Sequence, residues 1–359
     1  MTHPRCGVLF SECRIRNIEE PHSLSLLGNC LWCISHLCRG QPTPERAFTD
    51  PVIYPIVSLM HNLINLEGSE EALNDLLWAL SYLSDGDETR IEQVMGTGVT
   101  SKLMALLKES RCKINKAPLV RVLGNFACGN DNQTQSVLDA GLLDYVGFLL
   151  ESSSSNVRKE TCWILSNIAA GTPKQAGKLI NNQDIMELVV RCAKSDTWIV
   201  RKEAIWTLAN FCYSGQAETQ NPHVVPLLKV GGLEPLVMAL AMMNIDVTLL
   251  EVVLGAIGNI LRAGSITDTG YVYMVEELNG ISYIENLQEH PCQRIYDSVI
   301  QIIEEFFGVE EEDENLAPTL SESSRFGFGI TTPKQLFPDS SRGSATSQQT
   351  FDFSGRFRS

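Results

Sequence analysis

The chain has 359 residues, with 43 acidic side chains against 28 basic ones, a net charge of −15. This balance argues against nucleic acid as a direct partner and in favour of a basic ligand. Eleven Cys, an odd number scattered through apolar segments, suit reduced thiols serving as small core hydrophobes in cytosol or nucleus, and not a disulfide framework.

The opening MTHPRCGVLF lacks the charged flank, long apolar stretch and small-residue cleavage site of a signal peptide. Residues 1–22 fit no repeat. From residue 23 to 307 the chain reads as helical throughout, with Leu and Val at helical intervals, as in Val146, Leu149 and Leu150, and no useful strand alternation. A Trp followed four residues later by an Asn recurs along it. Trp32 and Trp78 come first, facing His36 and Tyr82 in place of the Asn, and Arg121 with Asn125 is an eroded copy. Trp163 with Asn167 and Trp206 with Asn210 are complete, and Gly255 with Asn259 is eroded again. The leading positions are 46, 43, 42, 43 and 49 residues apart, the period of a two- or three-helix solenoid repeat. Each repeat is expected to hold a short helix, a second apolar helix and a longer third helix carrying the Trp/Asn pair. The turns DAGLL (Asp139 to Leu143) and VGGLE (Val230 to Glu234) offer Gly for a left-handed helix end. The most apolar stretch, Leu227 to Leu261, is interrupted by Lys229, Glu234, Asn244, Asp246 and Glu251, so no membrane span is expected. Residues 308–359 begin with the acidic run Glu310 to Glu314 and continue in Ser, Thr, Pro, Gly and isolated Phe. Too few aliphatic side chains remain there to offset the entropy of ordering, and a disordered tail is predicted.

Several signals lead nowhere chemical. Gly171-Thr-Pro-Lys-Gln-Ala-Gly177-Lys178 has five residues between its glycines where a phosphate loop needs four, and Leu179 in place of Ser or Thr, so it reads as a turn between helices. Cys30, Cys33, His36 and Cys38 would be spread around one helix and are not a metal site. No cofactor is implied. The six His are isolated, no GxSxG elbow occurs, and no carboxylate pair sits in an apolar setting, which excludes an enzyme by every motif available. Phe326-Gly327-Phe328-Gly329 is a single FG copy in the tail.

Residues four apart on a helix share a face, so Trp163 projects with Asn167 and Trp206 with Asn210, and stacked repeats make a ladder of them along a concave wall. A single such pair is explained by packing plus one satisfied backbone group. Repetition favours a peptide groove, because an amide has two donors and an acceptor for an extended backbone. Successive indoles can clasp the stems of Lys or Arg, with cation–π attraction of about 0.5–2 kcal/mol per contact. Asp75, Glu160 and Glu203 each lie three residues before a Trp, and Asp131 lies six after Asn125, where they would select a cationic ligand.

The segments KETCWILSNIAAGTPKQ, RKEAIWTLANFCYSG and RVLGNFACGNDNQTQSVLDAGLL resemble the later armadillo repeats of importin alpha, the adaptor that binds nuclear localisation signals. The resemblance extends through LLWALSYLSDGDETRIEQVMGTG and RIYDSVIQIIEEFFGVEEEDE, covering residues 23 to 316. It implies an all-α, right-handed superhelical armadillo solenoid with a disordered acidic C-terminal tail. It also implies a minor signal-binding site of Trp163, Asn167, Trp206 and Asn210 with Glu160 and Glu203, joined by Arg121, Asn125, Asp131 and Thr134, and the edge of a major site at Trp32, Asp75 and Trp78. The family's early repeats and its Arg/Lys-rich importin-beta-binding segment have no counterpart in the sequence. The expectation is a nuclear import adaptor for Lys/Arg-rich signals, moving between cytoplasm and nucleus without importin beta. A recycling exportin is expected to contact the last repeat and Glu310 to Glu314. The alternative is a regulatory or dominant-negative scaffold that binds cargo or exportin alone.

Overall fold

The computed structural model describes residues 21–39, 46–64, 66, 68–108, 114–213, 221–242, 245–267 and 270–307, with the dipeptides 319–320 and 326–327. The chain divides into two units, Met1–Tyr283 and Ile284–Ser359.

In the first unit, α1 (Pro21–Cys38), α2 (Arg46–Ile64) and α3 (Glu70–Leu83) precede three complete three-helix repeats. These are α4 (Glu88–Met95), α5 (Val99–Lys108) and α6 (Lys116–Ala127); α7 (Asp131–Asp139), α8 (Leu143–Leu150) and α9 (Ser155–Ala169); and α10 (Pro173–Ile180), α11 (Gln183–Ser195) and α12 (Trp198–Asn210). A fourth repeat follows as α13 (Val224–Lys229), α14 (Leu233–Leu240) and α15 (Val247–Thr267), then α16 (Tyr271–Glu277) and α17 (Gly280–Asn286), the last crossing into the second unit.

The third helices stack in series, α1 on α3, α3 on α6, α6 on α9, α9 on α12 and α12 on α15. Their contact faces are fully buried apolar rows: Leu76, Leu77 and Leu80, then Leu119, Leu123 and Phe126, then Ile164, Leu165 and Ile168, then Ile205 and Leu208, then Val253, Leu254 and Ile257. Each such side chain contributes about 1.5–3 kcal/mol on burial, and the neighbouring repeat supplies the cover that one repeat lacks. α15 is long and apolar enough to cross a membrane by length and composition over Val247–Ile266, which the charges and amide scattered through Leu227 to Leu261 had concealed. It is the core helix of its repeat instead: 67% of that window is buried.

The short first helices are fixed by side-chain caps. Asp87 accepts from the Arg90 amide at the start of α4. Asn130 and Thr172 form capping boxes with Gln133 and Gln175. Both Gln side chains are buried, and each spends its Nε2 on the preceding repeat: Gln133 donates to the Glu88 carbonyl (2.9 Å) and Gln175 to the Asp131 carbonyl (2.8 Å). One residue therefore caps its own helix and sets the spacing to the next repeat. The GTPKQAGK segment is this capped turn, with Pro173 opening α10. The turns into α5, α8 and α14 take a left-handed residue at Gly98, Gly141 and Gly231, with Asn279 in the same conformation one repeat later, whereas the turn into α11 passes through Asn181 and Asn182 at negative φ. Gly141 and Gly231 are the glycines of DAGLL and VGGLE.

In the second unit a 3-10 turn, Leu287–Glu289, packs on α18 (Gln293–Phe306), which buries Ile295, Val299 and Ile302 on one face. Thr319–Leu320 (β1) pairs antiparallel with Phe326–Gly327 (β2), which takes in half of the FGFG sequence. The remaining predicted tail, with Glu310 to Glu314, and the unmatched residues 1–20 lie outside the described residues.

Candidate functional site

The indole column sits on the stacked third helices and its geometry changes along the stack. In α1, Trp32 is 52% exposed and His36 lies against it, ring centroids 4.1 Å apart. In α3, Trp78 is half-buried and stacks on Tyr82 at 6.0 Å. Asp75, one turn before Trp78, is half-buried; burial pushes its carboxyl above the ordinary carboxylate value and Glu71 adds to this, while His36 opposes them. Cys30, Cys33, His36 and Cys38 do follow one another along α1, with Cys38 buried and His36 Nδ1 against the Trp32 carbonyl at 2.9 Å. Among the described residues no cluster of three or more His, Cys, Asp or Glu could hold a metal ion.

From α6 onward the Asn takes over, and its amide points at the preceding repeat. Asn125 Nδ2 donates to the Ser81 carbonyl (2.8 Å) and to Ser84 Oγ (2.9 Å). Asn167 Nδ2 reaches the Gly124 carbonyl at 3.5 Å, Asn210 Nδ2 the Ser166 carbonyl at 2.9 Å, and Asn259 Nδ2 the Cys212 carbonyl at 3.2 Å. The first three acceptors occupy the same position, three residues after the Trp column. Where a Ser stands there, its hydroxyl donates back to the Trp carbonyl, as Ser35, Ser81 and Ser166 do at 2.7–2.8 Å. The amides thus satisfy carbonyls at the ends of neighbouring helices, and Asn125 and Asn210 are buried in doing so. Thr207 adds a second tie from α12 to α9, donating to the Cys162 carbonyl at 3.0 Å, so Trp206 stands level with the Cys162–Trp163 segment.

Trp163 is half-buried against α6. Its benzo edge fills the space above Gly124, where any Cβ would overlap the ring, and the Arg121 guanidinium lies 4.6 Å from its centroid. That Arg also holds Glu160, with Nη2 donating to Oε1 at 3.2 Å and Nε 2.8 Å from Oε2 but off the line of a hydrogen bond. Glu160 is 4% exposed and receives Lys159 Nζ at 2.9 Å as well. Two of the predicted site residues, Arg121 and Glu160, therefore neutralise each other, and Trp163 already carries one cation of its own chain. Thr134 is buried, its hydroxyl bound to the Ala127 and Asn130 carbonyls, while Asp131 is exposed at the start of α7.

Glu203 differs from Glu160. It is half-buried one turn before Trp206 and forms no ion pair among the described residues. Burial pushes its carboxyl up to about 7; Lys202, Lys159 and Arg121 oppose the rise and Glu160 adds to it. Lys202 is itself held by Asp246 at 2.8 Å. Tyr213 is a residue that motif reasoning missed. Its hydroxyl donates to the Val252 carbonyl at 2.8 Å and occupies the space where a side chain at Gly255 would begin. The signal was available as a glycine in the Trp column with an aromatic one repeat earlier.

These stacked three-helix units define an armadillo-repeat protein. Residues 130–170 match the armadillo/beta-catenin-like repeat model and residues 270–319 an atypical Arm repeat. A designed armadillo repeat protein in complex with the peptide (KR)4 superimposes with a TM-score of 0.58 at 25% identity, over 70% of this chain and 99% of the design. An engineered protein with a TM-score of 0.63 covers 84% of this chain and 68% of its own at 20% identity, and shows the same fold. Importin subunit alpha-1a of Oryza sativa subsp. japonica is 31% identical over 325 residues, and importin subunit alpha-3 of Arabidopsis thaliana 33% over 329; each match takes in 88% of this chain and 59% of the relative. The chain is similar to importin alpha subunits along its armadillo repeats, and spans 59% of the length of these curated relatives.

Proposed function

We propose that the chain is a nuclear import adaptor that holds an extended Lys/Arg-rich signal against the face carrying Trp163, Asn167, Glu203, Trp206 and Asn210. The observation that carries this reading is Glu203. Of the two acidic residues three before a Trp that form no ion pair among the described residues, Asp75 and Glu203, it is the one that stands one turn from Trp206 and level with α9. A cargo ammonium or guanidinium entering between the two indoles would supply the positive charge that Glu203 lacks, and its methylenes would lie along the rings. The role is binding, not catalysis. Similarity to importin alpha subunits and to a fold that accepts (KR)4 supports it, and an import adaptor works in both cytoplasm and nucleus.

The groove is partly self-occupied. Arg121 takes one position over Trp163, which leaves the interval between Trp163 and Trp206 for the ligand. Backbone recognition falls to what the amides have in reserve after bracing the stack: the acceptor oxygens of Asn167 and Asn210 and one N–H from each.

Fluorescence anisotropy with a labelled basic signal peptide tests the assignment. The Trp163→Ala/Trp206→Ala double variant should lose at least about tenfold in affinity, the equivalent of one desolvated cation–π contact. Binding should also weaken with added salt, because partly exposed ion pairs are screened over about 8–10 Å. Unchanged affinity in the double variant would remove this face as the binding site.

A further inference from the structure

The first helix of the stack shows a face that its successors hide. On α1, Leu26 is 63% exposed and Leu37 55%, and Cys30 and Cys33 between them are exposed as well. At about 100° per residue these four form one stripe, set roughly 100° from the buried row of Leu27, Leu31 and Ile34 and as far, on the other side, from Trp32 and His36. Counted from the Trp, the same positions on α9 are Val157, Thr161, Ile164 and Ile168, which are 3% exposed or less, and α3, α12 and α15 bury theirs too. In those repeats a second helix packs alongside, as α8 does on α9 and α14 on α15. Among the described residues no helix stands before α1 to do the same.

Two properties of the stripe point to what covers it. It is uncharged: α1, PHSLSLLGNCLWCISHLC, contains no Asp, Glu, Lys or Arg, in a chain of net charge −15. A charged partner would find no counter-charge here, whereas two copies of the chain, which repel each other elsewhere, can meet at this face without opposing like charges. The stripe is also its own complement. Its spacing of four, three and four residues is that of a seam between two paired helices, and its order, Leu, Cys, Cys, Leu, is the same in both directions. A two-fold axis passing between Cys30 and Cys33 therefore sets Leu26 against the second copy's Leu37, and Cys30 against the second copy's Cys33. Such a contact closes at two copies. The small thiols at its centre let the helix axes approach to about 8 Å, the near end of the usual range.

We propose that two copies of the chain associate through antiparallel α1 helices, burying the stripe of Leu26, Cys30, Cys33 and Leu37 and leaving Trp32 and His36 on the neighbouring face. One helix pair covers less than the about 800 Å² per partner of a standard interface, so the dimer is reversible, with a Kd on the order of 10 μM.

Sedimentation velocity on the full chain from about 1 to 100 μM should show monomer giving way to dimer across that Kd. Leu26→Glu/Leu37→Glu places four carboxylates in the seam and should hold the chain monomeric throughout. Its helical circular dichroism should stay unchanged, because both positions face solvent in the monomer. The thiols report the direction of pairing. Under copper–phenanthroline oxidation, Cys30→Ser and Cys33→Ser mixed together should yield a dimer linked Cys33 to Cys30 in a non-reducing peptide map, at least about fivefold more than either variant alone, since only residues directly opposed meet the reach of a disulfide. Should the Glu variant lose its helical signal, this mixture still decides. A chain monomeric up to the highest concentration, a dimer indifferent to the two Glu, or each Cys variant linking to itself as a parallel pair would would each overturn the proposal. So would Cys30 and Cys33 that resist iodoacetamide in the dilute monomer, because residues 1–20 would then already cover the stripe.

Discussion

In α1 and α3 the residue four after the Trp is a ring, and His36 and Tyr82 lie on Trp32 and Trp78 within the same helix. In α9 and α12 it is Asn, and the amide leaves its own indole to bind a carbonyl one repeat back. Both solutions occupy the same helical face, yet they brace different things. A ring partner steadies one indole, at about 0.5–1.5 kcal/mol beyond its buried area. An amide fixes the register of one helix against the next, and so the interval between successive indoles. Repeats that must present two Trp at a defined spacing need the second device, and it is found where Trp163 and Trp206 stand.

The comparison breaks most sharply at Asn125, which has the amide without the Trp. Its Nδ2 serves both the Ser81 carbonyl and Ser84 Oγ inside the stack. Asn125→Ala leaves these acceptors dry and should destabilise the protein by about 1–3 kcal/mol. Urea denaturation followed by circular dichroism measures it. A loss no larger than that of an exposed substitution would show that the amide is not bracing the repeats.

A second effect comes from Glu203, whose carboxyl burial holds up at about 7. An acid whose pKa is raised on folding costs stability as pH climbs from its unfolded value toward 7, because the unfolded chain releases its proton first. Glu203→Gln should accordingly melt higher than wild type at pH 8, with the gap closing toward pH 5. Ligand binding should show the opposite preference. If a cargo cation needs the ionised carboxylate, affinity falls by up to about tenfold per pH unit below 7, and the Gln variant loses that slope. A binding profile that is flat from pH 6 to 8 would detach Glu203 from the ligand.

Much of this was legible in the sequence because a solenoid repeats its instructions. The period of the Trp column located the third helices, and Gly141 and Gly231 marked their turns, since few residues other than Gly enter the left-handed region without cost. What the pattern could not convey was where each polar group spends its hydrogen bonds. Glu160 and Glu203 stand at the same offset before a Trp, but an Arg from the previous repeat neutralises one and leaves the other alone. Nothing in the local sequence of either distinguishes them. Gln133 and Gln175 passed unnoticed for the same reason: a buried Gln looks like a surface residue until its two partners, one in its own cap and one a repeat away, are seen.

The finest distinction lies between the two complete pairs. Asn210 is buried and bonds the Ser166 carbonyl at 2.9 Å, whereas Asn167 is half-buried and reaches the Gly124 carbonyl only at 3.5 Å, the outer limit for such a bond. Gly124 also supplies no hydroxyl to share the work that Ser166 shares. Asn210→Ala should therefore cost about 1 kcal/mol of stability, and Asn167→Ala a few tenths. For peptide binding the ranking reverses, because the amide less committed to the stack has more to offer a ligand backbone: Asn167→Ala should weaken the signal peptide more than Asn210→Ala does after correction for folding. Measuring both variants by denaturation and by anisotropy separates bracing from recognition, and the same ranking in the two assays would mean that the amides act on the ligand only through the architecture they hold.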